Sequence, residues 1–474
     1  MKKYCLSICT VCLLAISACS NFLELEPDNQ INQNNFYKTE EDFETSMVGI
    51  YATLRNLYAR DIFFITELTT DNTEISIPTS SLAEVEFDEM TITATNTIVQ
   101  SAWNSALFTV ARCNVLLNRI QEASINEEAK NRISAEARFM RALSYFFLVQ
   151  AFGNAPVTDA EFESPSQVFS TDITLRPSEE VYQLIINDLV TAESQIPNTL
   201  NANKGEASIG AIKTLLGKVY LAHHDYTEAA AKLKEVIDLG HYSLVDDYKS
   251  LFQPGNENLA ESIFEFKFTS GVNLGNTYSS LFTPAIIGLL PDRQSGSGRI
   301  NPTLSIIQAY EPGDVRKAAS VGDSILSDVG MVYSRYGLKF VDMTTNNPLD
   351  GAANFTVLRY ADVLLMYAEA LNELGAADVF TYLNLVRSRA HLTALQETGQ
   401  EALRSAIAQE RRVEFLFEAQ RWFDLKRTGK AQEVVNAYYA EKGLRFSVED
   451  HELLMPIPRR EIEINPNLQQ NPGY

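Results

Sequence analysis

Apolar side chains recur along most of this chain at the spacing of an amphipathic helix. In the stretch 361–374, Leu364, Tyr367, Ala368 and Leu371 follow the i, i+3, i+4, i+7 pattern, while Asp362, Glu369 and Glu373 fall mainly on other faces. The same periodicity covers 42–57, 101–120, 127–152, 178–196, 209–223, 227–239, 379–390 and 401–425. These segments come in pairs joined by short turns. One pair has a tetratricopeptide-type register, with Leu216, Gly217, Tyr220, Ala229 and Leu233 at its seventh, eighth, eleventh, twentieth and twenty-fourth places. Gly217 and Ala229 are small enough to let two antiparallel helices approach, and Tyr220 fills the groove between them. Tyr367, Ala368 and Leu371 echo this register, and Ala142 with Tyr145 opens a further pair. A helix pair cannot bury its apolar face alone, so stacked neighbours are expected.

The pattern changes between 253 and 355, where Gly, Pro, Asn and Ser are frequent and a short alternating run, 262–268, reads as a strand. Long irregular stretches inside a compact domain are often binding loops. The fold class predicted is therefore mostly α: a tetratricopeptide-like helical-pair scaffold, mainly 36–240 and 356–430, with a loop-rich insertion and a few short strands. The ligand face is expected mainly in 60–104 and 253–355.

The first residues follow a different rule. Lys2 and Lys3 precede an apolar run, 4–16, which is too short for a mature bilayer span of about 20 residues and has the layout of a signal peptide. It ends in Ile16-Ser17-Ala18-Cys19, which looks like the lipobox of a bacterial lipoprotein. On that reading 1–18 is the signal peptide, and Cys19 is the acylated first residue, with palmitate among its chains. The polar stretch 19–35 is then a tether and 36–474 the folded domain. Four of the five cysteines lie in or at the end of the leader, so Cys113 has no disulfide partner and reads as a small buried apolar residue.

Composition narrows the function. Among 474 residues, 39 Lys plus Arg against 61 Asp plus Glu give a net charge of −22, which argues against nucleic acid as a partner. Attachment to an anionic membrane should come from the acyl chains rather than from charge. No metal or cofactor is expected, because His-Glu-x-x-His, Glu-x-x-His, Cys-x-x-Cys beyond the leader and a Gly-rich phosphate loop are all missing from the sequence. Paired carboxylates at Glu410, Glu414 and Glu418 could suggest a glycoside hydrolase. Arg411, Arg412 and Arg421 lie within three or four residues of them and are expected to hold them ionised in a structural network, so no enzyme is expected. Asp71, Asn72, Thr73 and Glu74, with Trp103 and Asn104, offer hydroxyl-binding groups beside an aromatic plate, as a sugar site requires. A capped turn and a core tryptophan are the competing structural reading.

Several segments, taken in order, resemble the SusD/RagB family of outer-membrane nutrient-binding lipoproteins. They are Ala135-Glu136-Ala137-Arg138-Phe139-Met140-Arg141-Ala142 running on to Phe152-Gly153-Asn154-Ala155-Pro156, and Asn301-Pro302 through Gly313-Asp314-Val315-Arg316. Next come 358–370, the run Glu410-Arg411-Arg412-Val413-Glu414-Phe415, and Arg421-Trp422-Phe423-Asp424-Leu425. The last are Pro456-Ile457-Pro458 and the closing 465–474.

The resemblance implies a non-enzymatic lipoprotein anchored in the outer membrane through Cys19 and facing the cell exterior. Such a protein captures a glycan, or in some members a peptide, for a SusC-like TonB-dependent transporter. The matching motifs belong to the scaffold and carry over no binding residue. Only two tryptophans occur, and Trp422 lies in a scaffold motif. The sugar platforms expected are therefore Trp103 or Tyr278, Phe282, Tyr333 and Tyr336.

Overall fold

The helical segments begin where side chains can satisfy the unpaired N–H groups of a first turn. Helix α1 (Glu40–Asn56) starts from a capping box in which Thr39 and Asp42 bond each other's backbone N–H. Helices α2 (Thr97–Glu122) and α3 (Glu127–Phe152) start from Asn96 and Asn126, each accepting two backbone N–H groups on its side-chain oxygen. At the end of α3, Gly153 takes φ +77°, a conformation that a side chain disfavours. Then come α4 (Ser178–Gln195), α5 (Ile209–Ala222) and α6 (Tyr226–Asp238). Beyond the loop-rich region lie α7 (Tyr360–Glu373), α8 (Val379–Arg389), α9 (Gln400–Glu414), α10 (Arg421–Arg427) and α11 (Ala431–Lys442). This computed structural model describes residues 36–474 except 76–79, 160, 162–166, 168–170, 172, 200–202, 286–294, 328–329, 343 and 397–398; Cys19 and the tether lie outside the described residues.

From α1 to α8 each helix packs on the next, with α6 meeting α7 across the loop-rich region and α9 returning to α7, which is a tetratricopeptide-like stack. The expected close approach occurs where α5 meets α6. A Cβ placed on Gly217 would stand 2.7 Å from Leu233 Cγ, so a larger residue there would push the pair apart.

One predicted helix is divided. The periodicity of 401–425 suggests a single helix, but α9 stops at Glu414, and Phe417 and Ala419 take φ values of +69° and +59°. The break turns Glu418 inward to Arg359 at 2.7 Å and to Lys339 at 2.8 Å, and it lets the Ala419 N–H donate to Glu67 at 2.9 Å. Left-handed backbone at two residues with side chains costs on the order of 1–3 kcal/mol each. Tertiary ion pairs offset that cost, and helical periodicity carries no trace of them.

The strands are β1 (Thr73–Glu74), β2 (Ala155–Pro156), β3 (Leu175–Arg176), β4 (Ser262–Phe266), β5 (Asn301–Pro302), β6 (Val321–Ser327), β7 (Gly330–Gly337) and β8 (Phe355–Arg359). Among the described residues they form antiparallel pairs only: β1–β5, β2–β3, β4–β8 and β6–β7. Strand β4 is buried on both faces. Around β4 and β8, Phe63 packs with Tyr278, Phe282 and Phe355, its ring centroid 5.4 Å from each of theirs. This aromatic core joins the loop-rich region to the helices.

Candidate functional site

The three stacked carboxylates are buried and fully engaged. Arg316 donates to Glu410 at 2.6 Å and to Glu414 at 2.8 Å. Arg359 donates to Glu414 at 2.6 Å, to Glu261 at 2.8 Å and to Glu418 at 2.7 Å. Arg389 reaches Glu261 and Glu414, and Arg387 bridges Glu410 and Glu311. Burial alone would raise the Glu414 carboxyl, but Arg389, Arg359 and Arg316 hold it well below the usual carboxylate range. Such a group cannot donate a proton near neutrality, so Glu414 cannot be the acid of a paired-carboxylate hydrolase; Glu410, which burial raises, is itself held by Arg316 and Arg387. The cations expected from helical spacing are not the ones used. Arg411 turns to Asp362 and Asp424, whereas Arg412 and Arg421 turn to Asp71.

Asp71 and Asn72 are brought together with those two arginines. Arg421 makes a two-pronged contact with Asp71 at 3.0 and 3.2 Å, and Arg412 Nη2 lies 2.6 Å from the same carboxylate. Arg412 Nε also donates to Asn72 Oδ1 at 2.8 Å, and its Nη2 donates to Ser305 at 2.8 Å. The backbone oxygens of Asp71 and Asn72 accept from Thr303. Both residues are buried, which corrects their expected place on an open ligand face: they tie the 71–75 segment to α9 and α10.

The aromatic candidates separate by burial. Trp103 is 1% exposed, with its ring edge-on to Phe152 at 4.8 Å, so it is a core residue and not a surface platform. Asn104 follows it on α2, half-buried and on a different face. Tyr278 and Phe282 belong to the aromatic core, where the Tyr278 hydroxyl donates to the Ala353 carbonyl at 2.6 Å. Tyr336 is buried over its cross-strand partner Gly322; a Cβ there would stand 2.2 Å from the phenol ring. Tyr333 differs from all of these. It is 82% exposed.

Tyr333 stands on β7 two residues after Met331, also exposed, and the two share one side of the hairpin; a register shift between Tyr333 and Tyr336 then interrupts the alternation before Arg335 is passed. Arg335 anchors the hairpin: its Nη1 donates to the Pro302 carbonyl at 3.2 Å and its Nη2 to Glu74 at 2.7 Å. Glu74 also accepts from the Tyr438 hydroxyl at 2.9 Å and from Lys442 at 2.8 Å. Burial would raise the Glu74 carboxyl, but Lys442, Tyr438 and Arg335 outweigh it, so the group stays ionised. Nearby Asp88, accepting the Ile75 N–H, is pushed up to about 7 by burial, with the Glu74 charge adding to the rise. An open phenol ring can stack on a hydroxyl-rich ligand and hydrogen-bond it through its own hydroxyl. Arg335, Tyr438 and Lys442 have no local sequence signal; they meet Glu74 only through the fold.

Comparison with known proteins gives a consistent picture. Residues 323–474 match the SusD family, and residues 21–221 match a family described as starch-binding and associating with the outer membrane. SusD-like protein P2 of Formosa agariphila is 28% identical over the whole of both chains. A laminarin-binding SusD-like protein of known structure is 28% identical, with a TM-score of 0.80 over 92% of this chain and 100% of that one. Surface glycan-binding protein A from Bacteroides fluxus is 26% identical, again with a TM-score of 0.80, over 92% of this chain and 100% of its own.

Proposed function

This chain belongs to the SusD/RagB family, and we propose that it binds an extracellular oligosaccharide or polysaccharide at the cell surface and delivers it to a SusC-like TonB-dependent outer-membrane transporter. The observation that carries the saccharide reading is Tyr333, an exposed ring on a hairpin pinned to the body through Arg335 and Glu74. The laminarin-binding and glycan-binding relatives of the same fold support the ligand class. Binding without turnover is the reading that fits the clamped Glu414. Among the described residues no helix is long and apolar enough to cross a membrane, and attachment is assigned to acyl chains on Cys19.

Affinity electrophoresis and calorimetry against a polysaccharide panel that includes laminarin and starch test the proposal. Retardation without release of reducing ends is expected, and Tyr333→Ala should weaken binding at least about tenfold while leaving the fold intact. Reducing-end release that disappears in Glu414→Gln would overturn it. A Cys19→Ala chain should leave the membrane fraction; retention after a high-salt wash would refute the anchor.

A further inference from the structure

Arg412 and Arg421 line a cleft of about 280 Å³ between α9 and the α10–α11 pair, with Ile407, Ala408 and Leu425 on its walls. Among the described residues, Asp71 is the sole ion-pair partner of either arginine, so the two guanidinium groups share one carboxylate. Their side chains are only 13% and 11% exposed, so water screens these groups poorly. In each arginine Nη1 makes no hydrogen bond with the described residues, and neither Nη1 is sealed from solvent. Burial lowers the Arg412 pKa, and Arg421 adds to the lowering against the pull of Asp71. The other cations around the cleft are matched: Arg411 by Asp362 and Asp424, Arg427 by Glu369 and Asp424, Arg404 by Glu373 and Glu401, and Lys430 by Glu433.

We propose that this cleft binds an anionic group of the saccharide, a carboxylate or a sulfate ester, between Arg412 and Arg421, with Ile407 and Leu425 against the adjoining carbon skeleton. Guanidinium groups suit that role, because their planar forks bond carboxylate and sulfate oxygens in pairs and are weakly hydrated. A net charge of −22 on the chain repels a long polyanion at a distance, which favours short acidic oligosaccharides. The inference rests on the saccharide-binding reading and narrows its substrate class.

Calorimetric titration with trigalacturonate, with a neutral laminarin oligosaccharide and with sodium sulfate alone tests it. Arg421→Gln should weaken trigalacturonate at least about tenfold. That change also removes a partner of Asp71, so an exposed position, Ala408, supplies an independent pair of variants. Ala408→Glu should weaken trigalacturonate about threefold or more and Ala408→Lys should tighten it, with sulfate competing in each case. Equal affinities in the two Ala408 variants, or no competition by sulfate, would refute the site. Binding of the neutral oligosaccharide without trigalacturonate would sink this inference and leave the proposed function standing. Charge-dependent sulfate binding with neither saccharide bound would instead overturn the saccharide reading, and with it this ligand class.

Discussion

Arg335 Nη2 lies 2.7 Å from Glu74 Oε1, and this contact fixes the β6–β7 hairpin to the β1 segment. With side chains 33% and 15% exposed, the pair should contribute only about 0–1 kcal/mol to stability. Its value is positional, because it sets where the ring of Tyr333 stands. Arg335→Ala should weaken glycan binding several-fold in calorimetry with little change in thermal unfolding. Unchanged affinity would mean that the hairpin is not part of the site.

Glu414 accepts from Arg316, Arg359 and Arg389 in the interior. Removing one member of such a network strands charges that burial has stripped of water. Glu414→Gln should therefore cost about 3–5 kcal/mol in urea unfolding. A loss below about 1 kcal/mol would show that water already reaches these groups.

Glu67 gives a pH dependence of known sign. Burial pushes its carboxyl up to about 8 from 4.5, so between those values the folded chain holds a proton that the unfolded chain has lost. Its contribution to stability therefore falls as pH rises through that window, by at most ~1.4 kcal/mol per pH unit. Lys339, which burial pulls down to about 8, titrates at the upper edge with the opposite sign. Glu67→Gln keeps an acceptor for the Ala419 N–H and cannot titrate. Measured by denaturant unfolding from about pH 5 to about pH 7.5, its stability relative to the parent should climb steadily. A constant difference would refute a protonated Glu67.

Trp103 separates core from site. Trp103→Ala should cost about 3–5 kcal/mol of stability, because it empties a buried space beside Phe152. Glycan affinity, measured on the folded fraction, should stay at the parent value. The reverse pattern would restore Trp103 to the ligand face.

The scaffold was legible because helix packing is periodic. Gly217, Ala229 and Leu233 stand where the repeat register puts them, and a Cβ on Gly217 would indeed collide with Leu233. The binding face was much less legible. Tyr278 and Tyr333 are the same residue in the same loop-rich region, yet one is sealed in an aromatic core and the other is open to solvent. Burial there is decided by Phe63, Phe340 and Phe355, which are distant in sequence from one or both. Asp71 and Asn72 look like surface recognition groups until arginines 350 and 340 positions away cover them. The division of 401–425 was hidden for the same reason, since Glu418 and Ala419 answer to Arg359 and Glu67.

The distance in sequence between Asp71 and its two arginines also orders the making of the protein. A chain synthesised from its N-terminus exposes Asp71 early and supplies Arg412 and Arg421 only when little remains to be added. The end of α3 waits longer still, because the Phe152 carbonyl accepts from the side chain of Asn471, 319 positions on. Contacts this remote form slowly, since the loop they close must first be searched. Until the last residues arrive, Asp71 and the end of α3 lack these partners. Chains cut short before Arg412 should stay in that unlatched state, as prey for proteases and chaperones.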